Sequence, residues 1–429
     1  MNSCVTMQTY SIPCGKKLIP IQVPDNVPVQ WVESRRLESV SDVKKAIEDA
    51  LRHPIGSTQL CDLVKPGQKV ALVVTDITRK LPEEIIIPIL LKELQAGGIA
   101  KKDITAVVAT GTHRPDTPQE LREKFGNVVN EISFVNHDAY NPDGLVDLGR
   151  SPGGIPLVFN RTVAQADIRI STGVIETHLL AGYSGGVKSI AVGVAGEKTI
   201  GATHNYEMLL QTRLGITEGN KFRQFLTEAT QALGLHFIVN VVQTGNKEVV
   251  KVVAGDPVQA FHEGVKTARK LYEVEIQHPG DIVVTGVSYP KSRDLYQATR
   301  SANGAIFGPK PVVNRGGVII IPAPCEDGCG HPGYCEIMRR AEDVDDIIAI
   351  SREEGFAAGE QKALILARIL KHARIVITDC TLPVQTLKDL YLESVPTLQE
   401  ALDQELKRKP DARVVMIPDG LLTLPTMKG

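Results

Sequence analysis

Short runs of apolar and β-branched residues alternate with helical patterns along almost the whole chain. Residues 70–76 (VALVVTD) form one such run, and residues 82–99 then show helical spacing that ends at a pair of glycines. The runs at 103–113 and 167–174 continue the alternation. Strands that alternate with helices in this way are typical of a parallel sheet covered by helices. The pattern therefore predicts an α/β fold.

Two breaks in the alternation bear on the domain organisation. Residues 236–256 contain two apolar runs around a Thr-Gly-Asn turn, which predicts a β-hairpin. A polar stretch at 273–281 precedes a second series of strands and helices. We predict two α/β domains with mainly parallel sheets and an active-site cleft between them. The N-terminal cofactor-binding and catalytic domain is expected at 1–272 and the C-terminal α/β domain at 273–411, with 412–429 packing back on the first domain.

Composition and charge exclude several classes of protein. The 429 residues carry a formal net charge of −2 and are only 4% aromatic, so we expect neither a nucleic-acid partner nor an acidic membrane surface. No apolar run has the length of a membrane span, and the N-terminal residues lack the pattern of a signal peptide. Seven cysteines, an odd number in a chain too long to need disulfides, favour a reducing compartment. We therefore expect a cytoplasmic protein.

Side chains that can carry chemistry follow several of the predicted strands. Asp76 and Arg79 follow the first strand, His113 follows the second, and His178 follows a third. In open parallel sheets, ligands bind beyond the carboxyl ends of the strands, so we expect these side chains to share one cleft. A charge at a strand end is either simply solvated or functional. The guanidinium of Arg79 suits a small carboxylate, and Asp76 can orient a histidine or accept from a ribose hydroxyl.

The most unusual segment runs from Glu176 to His204 (ETHLLAGYSGGVKSIAVGVAGEKTIGATH) and combines glycines, one lysine and two histidines. Its SGGVKS stretch is not a Walker phosphate-binding loop, because that motif needs glycine directly before the lysine and Val187 stands there. Glycines before a helix still expose backbone N–H groups that suit a phosphate. Lys188 is either a solvated lysine after a flexible turn or a buried lysine whose lowered pKa makes it a nucleophile or covalent anchor.

Three histidines, His113, His178 and His204, leave several roles open. Each is either a hydrogen-bonded structural residue or a functional group. An imidazole exchanges protons near neutral pH and also binds metals such as Zn or Ni. Their spacings are too long for a zinc finger, so a shared site would have to be assembled from separate loops.

The stretch 325–335 (CEDGCGHPGYC) contains four residues of the metal-ligating type. They are Cys325, Cys329, His331 and Cys335. The stretch lacks the C-x-x-C knuckle of structural zinc sites. We favour the interpretation that a glycine-rich loop places reduced thiols along a cleft.

The motifs DITR (76–79), GTHRP (111–115) and YQATR (296–300), together with the segment 176–204, resemble the nickel-pincer lactate racemase family over almost the whole chain. In that family the cofactor is a pyridinium mononucleotide with two sulfur-containing arms, one of them bound covalently to a lysine. Nickel is held by two sulfurs and a ring carbon, and a histidine is the fourth ligand. The resemblance implies an isomerase that racemises or epimerises lactate or a related 2-hydroxycarboxylate by reversible hydride transfer from C2.

The resemblance also implies which residues bind the cofactor. Lys188 would be the covalent anchor of the nickel-pincer nucleotide, and His204 would be the nickel ligand. Ser184, Gly185 and Gly186 would accept the cofactor phosphate. The enzymes that synthesise the cofactor would be transient partners.

For the reaction itself, the resemblance implies that His113 and His178 are the acid/base pair, one on each face of the substrate carbon. Two histidines are needed because the hydroxyl proton has to be managed for both enantiomers. Arg79 would clamp the carboxylate of a small 2-hydroxy acid, and Asp76 would support the site beside the cofactor.

One motif departs from the family pattern. The lactate enzymes carry a Gln followed three residues later by a Lys that contacts the substrate, whereas here Gln297 is followed by Arg300. Arginine keeps the charge but changes the reach and geometry. We expect Tyr296, Gln297 and Arg300 to bind the substrate, which would be lactate or a 2-hydroxy acid with further oxygens.

Two other functions are compatible with the residues. One is a zinc hydrolase without the nucleotide, in which the three histidines hold the metal. The other is a non-catalytic protein of the same fold that binds a small acid.

Overall fold

A computed structural model describes residues 6–211, 213–357 and 359–428. The strands, in chain order, are β1 (Met7–Gly15), β2 (Lys17–Pro24), β3 (Val29–Trp31), β4 (Val70–Thr75), β5 (Ile104–Ala109), β6 (Ser133–Asn136), β7 (Leu145–Arg150), β8 (Pro156–Asn160), β9 (Ile168–Val174), β10 (Thr177–His178), β11 (Gly182–Tyr183), β12 (Phe237–Gln243), β13 (Val249–Gly255), β14 (Glu273–Ile276), β15 (Gly280–Thr285), β16 (Val287–Ser288), β17 (Val313–Pro322), β18 (Arg374–Thr378), β19 (Glu393–Ser394), β20 (Val414–Ile417) and β21 (Leu424–Met427).

The α-helices follow the same numbering. They are α1 (Val43–Arg52), α2 (Leu60–Leu63), α3 (Glu83–Ala96), α4 (Pro118–Phe125), α5 (Arg161–Gln165), α6 (Lys188–Ala191), α7 (Glu197–Thr203), α8 (Tyr206–Gln211), α9 (Lys221–Leu233), α10 (Gln259–Tyr272), α11 (Leu295–Ala298), α12 (Asn303–Phe307), α13 (Pro332–Arg340), α14 (Val344–Glu353), α15 (Lys362–Leu370), α16 (Val384–Lys388) and α17 (Leu398–Arg408). Short 3₁₀ turns cover Lys101–Asp103, Gly126–Asn130, Pro142–Gly144 and Thr299–Ala302. Among the described residues, no helix combines the length and the apolar character needed to cross a membrane.

The contacts divide the chain into two compact units. The central unit consists of residues 36–204 and 217–271, and the terminal unit consists of the described residues within 1–35, 205–216 and 272–429. Each unit is built on its own sheet with its own apolar core. The predicted α/β class with mainly parallel sheets is confirmed.

The sheet of the central unit has the strand order β13-β12-β9-β4-β5-β6. Its neighbours are parallel except at the edge, where β12 and β13 form an antiparallel hairpin. This confirms the hairpin predicted at 236–256. Every residue of β4 is buried, which explains why its sequence is a continuous apolar run rather than an alternating one.

Local signals in the sequence fix the ends of two helices beside this sheet. The acidic Glu83 and Glu84 lie in the first turn of α3, where they complement the helix dipole, and Gly97 ends the helix. Thr117 and Glu120 form the capping box at the start of α4, as their spacing predicts. Because β4, β5 and β9 are parallel neighbours, the segments that follow them leave from the same edge of the sheet.

The sheet of the terminal unit has the order β19-β18-β17-β15-β20-β3 and is parallel throughout. Strands β1 and β2 form a hairpin, β1 also pairs with β16, and β14 pairs with β21. The predicted division of the chain differs from this in three places. Residues 6–35 belong to the terminal unit because β3 extends its sheet, and residues 412–428 belong there as well because β20 lies inside that sheet. The described residues within 205–216, which the prediction placed in the N-terminal domain, also belong to the terminal unit.

Candidate active site

The carboxylate of Asp76, directly after β4, holds the ring of His113. Asp76 Oδ2 lies 2.6 Å from His113 Nδ1, and the hydroxyl of Thr78 donates to Asp76 Oδ1 at 2.6 Å. Burial raises the pKa of Asp76, but the hydrogen bonds from His113 and Thr78 outweigh it, so the net shift is downward. Asp76 is therefore ionised, and it fixes the His113 tautomer that carries its proton on Nδ1. The His113 side chain is 60% exposed, which leaves Nε2 able to reach a ligand.

Arg79 lies three residues further along the same turn and pairs with Glu176. Its Nη1 donates to Glu176 Oε1 at 2.6 Å, and its backbone N–H donates to Asp76 O at 3.1 Å. Within the described ranges, the Nε and Nη2 atoms of Arg79 donate to no protein group. The pairing orients the guanidinium and leaves one edge of it for a carboxylate.

A buried carboxylate lies behind this turn and holds the end of β4. Glu83 is fully buried and accepts from Thr75 N (3.0 Å), Thr75 Oγ1 (2.8 Å) and Thr172 Oγ1 (2.5 Å). Lys124 Nζ lies 3.0 Å from Glu83 Oε2 and also donates to the carbonyl of Arg79 at 2.5 Å. This network ties α3, α4 and two strands to the turn that carries Asp76 and Arg79.

Lys188 begins the short helix α6 and faces the same charges. Burial and, to a smaller extent, the positive charge of Arg79 lower the pKa of its amine to about 7, while the charge of Asp76 acts in the opposite direction. Among the described residues, no side chain forms a hydrogen bond or an ion pair with Lys188 Nζ. An unpaired amine that is neutral in a substantial fraction of molecules at pH 7 is a nucleophile, so the structure favours the second of the two roles that the sequence leaves open.

His204 follows α7, and its ring orientation leaves one nitrogen for a metal. Its Nδ1 lies 2.9 Å from the carbonyl oxygen of Ile200, so Nδ1 carries the proton and Nε2 has the lone pair. The ring packs edge-on against Phe222 with centroids 5.6 Å apart. Burial lowers the pKa of His204 to about 4, and the charge of Lys188 contributes. His204 is thus a neutral donor at physiological pH, which is the form that binds nickel or zinc.

His178 lies in β10, where it pairs with Gly182 of β11. Its Nδ1 accepts from the backbone N–H groups of Leu180 (3.3 Å) and Ala181 (3.2 Å). The neutral ring therefore carries its proton on Nε2, the opposite arrangement from His113. His113 thus presents a lone pair at Nε2, whereas His178 presents an N–H at Nε2.

Arg223 of α9 holds the backbone just before the glycine-rich turn Ser184–Gly186. Its guanidinium donates to the carbonyls of Ala181 and Tyr183 and stacks on the ring of Phe261 at 4.2 Å. Burial lowers the pKa of Arg223 to about 9. Sequence reasoning missed this residue because nothing in its helical context marks it as functional.

The backbone N–H groups of Ser184 and Gly186, which were predicted to bind a phosphate, donate to other groups of the protein. The N–H of Ser184 donates to Glu176 O at 2.8 Å, and the N–H of Gly186 donates to Asn240 Oδ1 at 2.6 Å. Gly185 has φ +77°, and a Cβ there would lie 2.7 Å from Asn240 Oδ1. A Cβ on Gly186 would lie 2.7 Å from the ring of Phe261. Packing and left-handed backbone thus explain these glycines, and the N–H groups of Ser184 and Gly186 are already used, so the phosphate prediction gains no support from them.

The predicted substrate residues of the YQATR motif lie in the terminal unit. Arg300 is exposed, and its Nη1 donates to Gln297 Oε1 at 2.8 Å. The ring of Tyr296 packs edge-on against Tyr334, with centroids 5.6 Å apart. The ammonium of the buried Lys362 lies 5.7 Å from the centroid of the Tyr296 ring.

The cysteines of the 325–335 loop are free thiols, as expected. Cys325 and Cys335 are buried, while Cys329 is partly exposed. In the described part of the chain, no group of three or more His, Cys, Asp or Glu side chains has the arrangement of a metal site.

Comparisons with known proteins decide the family. The profile of the lactate racemase N-terminal domain matches residues 14–216, and that of the lactate racemase C-terminal domain matches residues 274–424. The chain belongs to the lactate racemase family. The family resemblance and the enzyme class, an isomerase, that the sequence predicts are therefore confirmed.

Individual members of the lactate racemase family match the chain over nearly its full length. The lactate racemase of Thermoanaerobacterium thermosaccharolyticum is 32% identical over 427 residues, covering 97% of this chain and 98% of the relative. The lactate racemase of Lactiplantibacillus plantarum is 31% identical over 424 residues, covering 97% and 99%.

Solved structures agree with this assignment. The apoprotein of the T. thermosaccharolyticum lactate racemase superimposes with a TM-score of 0.89 at 30% identity, covering 98% of this chain and all of that one. A protein from Thermotoga maritima shares the fold, with a TM-score of 0.68 at 20% identity over 92% of this chain and all of that one.

Among the residues expected from the lactate racemase resemblance, the structure brings together Asp76, Arg79, His113, Lys188 and His204. The charges of Asp76 and Arg79 both act on Lys188, and that of Lys188 acts on His204. Glu176 was part of the quoted segment but had no assigned role. Its position directly before the predicted Thr177-His178 strand end was the available signal.

Proposed function

We propose that the protein is a 2-hydroxyacid racemase or epimerase that uses a nickel-pincer nucleotide attached to Lys188. One observation carries this proposal. The amine of Lys188 has a lowered pKa, and it lies close enough to the neutral imidazole of His204 for its charge to lower the pKa of that ring. The curated relatives are named lactate racemases, so the proposed substrate is lactate or a related 2-hydroxycarboxylate.

The residues present fit this cofactor. The Lys188 amine is neutral enough near pH 7 to form a covalent bond with an activated carboxyl-type arm. His204 offers Nε2 to nickel, and the hydrogen bond from Nδ1 to Ile200 O keeps the ring in that orientation. When bound, the nickel-pincer nucleotide would supply the acceptor and donor of the hydride at C2.

His113 and His178 would move the proton of the 2-hydroxyl group. His113 takes the proton at Nε2, and the ionised Asp76 stabilises the imidazolium that results. His178 would return a proton to the oxygen when the other enantiomer forms, and for this its ring first has to take up a second proton, since a neutral imidazole is too weak an acid. The two tautomers are held by different partners, so the Nε2 atoms of the two histidines have opposite hydrogen-bonding roles.

Arg79 would bind the carboxylate of the substrate through its Nε and Nη2 edge. Its ion pair with Glu176 fixes the guanidinium plane before substrate arrives, which lowers the entropic cost of binding. In the terminal unit, Tyr296, Gln297 and Arg300 are proposed to contact the substrate. We also propose that the protein works in the cytoplasm. Its proposed transient partners are the enzymes that synthesise the cofactor.

The deciding experiment is a panel of 2-hydroxy acids assayed with protein produced together with the cofactor-synthesis enzymes. We expect interconversion of enantiomers or epimers for at least one acid, and added covalent mass on the Lys188 peptide by mass spectrometry. Lys188→Ala should lose both, whereas substitution of the exposed Lys198 should lose neither. Binding of an acid without turnover by protein that carries the adduct would favour the non-catalytic binding protein instead.

A further inference from the structure

The loop that contains Cys325 and Cys329 holds the segment that leads into Tyr296. The backbone hydrogen bonds join Cys325 N to Ser292 O (3.0 Å), Asp327 N to Arg293 O (2.7 Å), Leu295 N to Gly328 O (3.0 Å) and Tyr296 N to Cys329 O (3.0 Å). The carbonyl of Cys329 also accepts from the hydroxyl of Tyr334 at 2.9 Å. The backbone position of Tyr296 therefore depends directly on the position of Cys329.

Two thiols meet at the end of this loop. The Cys329 and Cys335 side chains are hydrogen-bonded to each other, so their sulfur atoms are neighbours. Cys335 is fixed in α13 and is 1% exposed, whereas Cys329 precedes the helix and is partly exposed. The glycine between Cys329 and the helix, Gly330, has φ +89° and gives the chain a tight bend there.

The two thiols differ in acidity. The hydrogen bond from Cys335 lowers the pKa of Cys329 to about 7 against the opposing effect of burial, and the positive charge of Arg339 contributes. The same hydrogen bond and burial raise the pKa of Cys335. Near neutral pH, the thiolate therefore forms at Cys329, while Cys335 keeps its proton. An exposed thiolate beside a buried thiol is the arrangement of an attacking and a resolving cysteine.

We propose that Cys329 and Cys335 form a site of reversible oxidation by hydroperoxides. The Cys329 thiolate attacks one oxygen of hydrogen peroxide: the S–O bond forms, the O–O bond breaks, and the departing hydroxide takes up a proton to leave as water. Sulfur is oxidised by two electrons and the peroxide is reduced. The Cys335 sulfur then attacks the sulfenic acid, the S–S bond forms, and the hydroxyl group leaves as water with the thiol proton.

Oxidation would act on the substrate segment, which we define as residues 296–300, through the backbone carbonyl group of Cys329. A disulfide draws the Cys329 sulfur from hydrogen-bond contact to covalent distance, and the Cys329 backbone follows. The hydrogen bond from Tyr296 N–H to Cys329 O has to adjust, and with it the segment that carries Gln297 and Arg300. This consequence rests on the proposed function, whereas the thiol chemistry does not.

The test uses the full-length protein without cofactor. The protein is exposed to hydrogen peroxide at pH 7, its remaining thiols are blocked with N-ethylmaleimide, and the digest is read by mass spectrometry without reduction. We expect a Cys329–Cys335 disulfide that dithiothreitol reverses. Cys61 is the internal comparison, because it is partly exposed and burial raises its pKa. At pH 7 about half of a thiol of pKa 7 is thiolate, against about 1% for one of pKa 9, and the lower nucleophilicity of the more acidic thiolate leaves Cys329 about fivefold faster or more.

Two variants separate the steps. In Cys335→Ser, Cys329 should stop at the sulfenic acid, which dimedone traps. In Cys329→Ser, Cys335 should stay reduced. The proposal is overturned if Cys329 goes to the sulfinic acid in the wild type, if it pairs with another cysteine, or if it reacts no faster than Cys61. With cofactor-loaded enzyme, the disulfide should lower racemase activity reversibly. A mapped disulfide with unchanged activity would reject the effect on the substrate segment and leave the proposed racemase function standing.

Discussion

The Asp76 carboxylate lies 2.6 Å from the His113 ring and is almost fully buried, while the histidine that it holds is 60% exposed. A buried, ionised carboxylate thus orients an exposed imidazole. This is the arrangement by which a carboxylate stabilises the imidazolium that forms when a histidine takes a proton.

Asp76→Asn should lower the racemisation rate on the order of 10²- to 10⁴-fold, because the amide cannot stabilise a protonated His113. The measurement is the initial rate with each lactate enantiomer, followed by chiral chromatography on cofactor-loaded enzyme. Thr78→Val removes only the second hydrogen bond to Asp76 and should cost less. A rate within twofold of wild type for Asp76→Asn would show that His113 does not depend on this carboxylate.

The Lys188 amine should react with a small acylating reagent with a midpoint near pH 7 in cofactor-free protein. Exposed lysines ordinarily titrate near pH 10.4, and the peptide that contains Lys198 gives the comparison in the same digest. Arg79→Gln should move the Lys188 midpoint to higher pH, because the Arg79 charge disfavours the ammonium form. A midpoint that does not move in this variant would contradict the electrostatic coupling of the two residues.

The lowered pKa of Lys188 also predicts a dependence of stability on pH. The folded state disfavours the charged amine, so the cost to stability is fully present below about pH 7, shrinks as the pH rises toward 10.5, and is absent above it. Lys188→Met should therefore raise the unfolding temperature of cofactor-free protein most at pH 6–7, with a difference that narrows steadily from about pH 7 toward pH 10.5. An equal effect at every pH would mean that the amine is not desolvated.

His204→Ala should separate metal binding from covalent attachment. Nickel content, measured by inductively coupled plasma mass spectrometry, should fall about tenfold or more relative to protein. The covalent mass on the Lys188 peptide should remain. His262→Ala, at an exposed position of the same unit, should change neither. Loss of the adduct with retention of nickel would reverse the roles assigned to Lys188 and His204.

Glu83→Gln should destabilise the central unit by about 3–5 kcal/mol, because it leaves the nearly buried Lys124 without its partner. Urea unfolding, followed by a probe in this unit, measures the change. The double variant Glu83→Gln with Lys124→Met should recover part of the loss, since it removes both charges. A loss below about 1 kcal/mol for the single variant would show that the network does not hold the β4 turn.

The sequence predicts most of the sheet architecture and part of the site, for physical reasons that particular residues show. The apolar run at 70–76 predicts a buried strand, and the spacing of Thr117 and Glu120 predicts the start of a helix. Both predictions were possible because each signal lies within a few residues of the chain. Chemistry-bearing residues after parallel strands, such as Asp76 and His113, could be placed together because strand ends share an edge.

What the sequence could not provide were partners distant along the chain. Arg79 and Glu176 are far apart in sequence, and so are Gly186 and Asn240. Gly185 and Gly186 resembled a phosphate-binding loop because the sequence alone does not distinguish a glycine required by packing from a glycine required by a ligand. The N-terminal strands were assigned to the wrong unit because the strand that pairs with β3 lies near the other end of the chain.

The pairing of β3 with β20 has a consequence for folding during synthesis on the ribosome. Strand β3 emerges early in synthesis, but its neighbour β20 emerges only when almost the whole chain has been made. The sheet that β3 extends can therefore be completed only after all residues of the central unit have been made. The early strands β1 and β2 can meanwhile pair with each other, and the second edge of β1 stays open until β16 has been made.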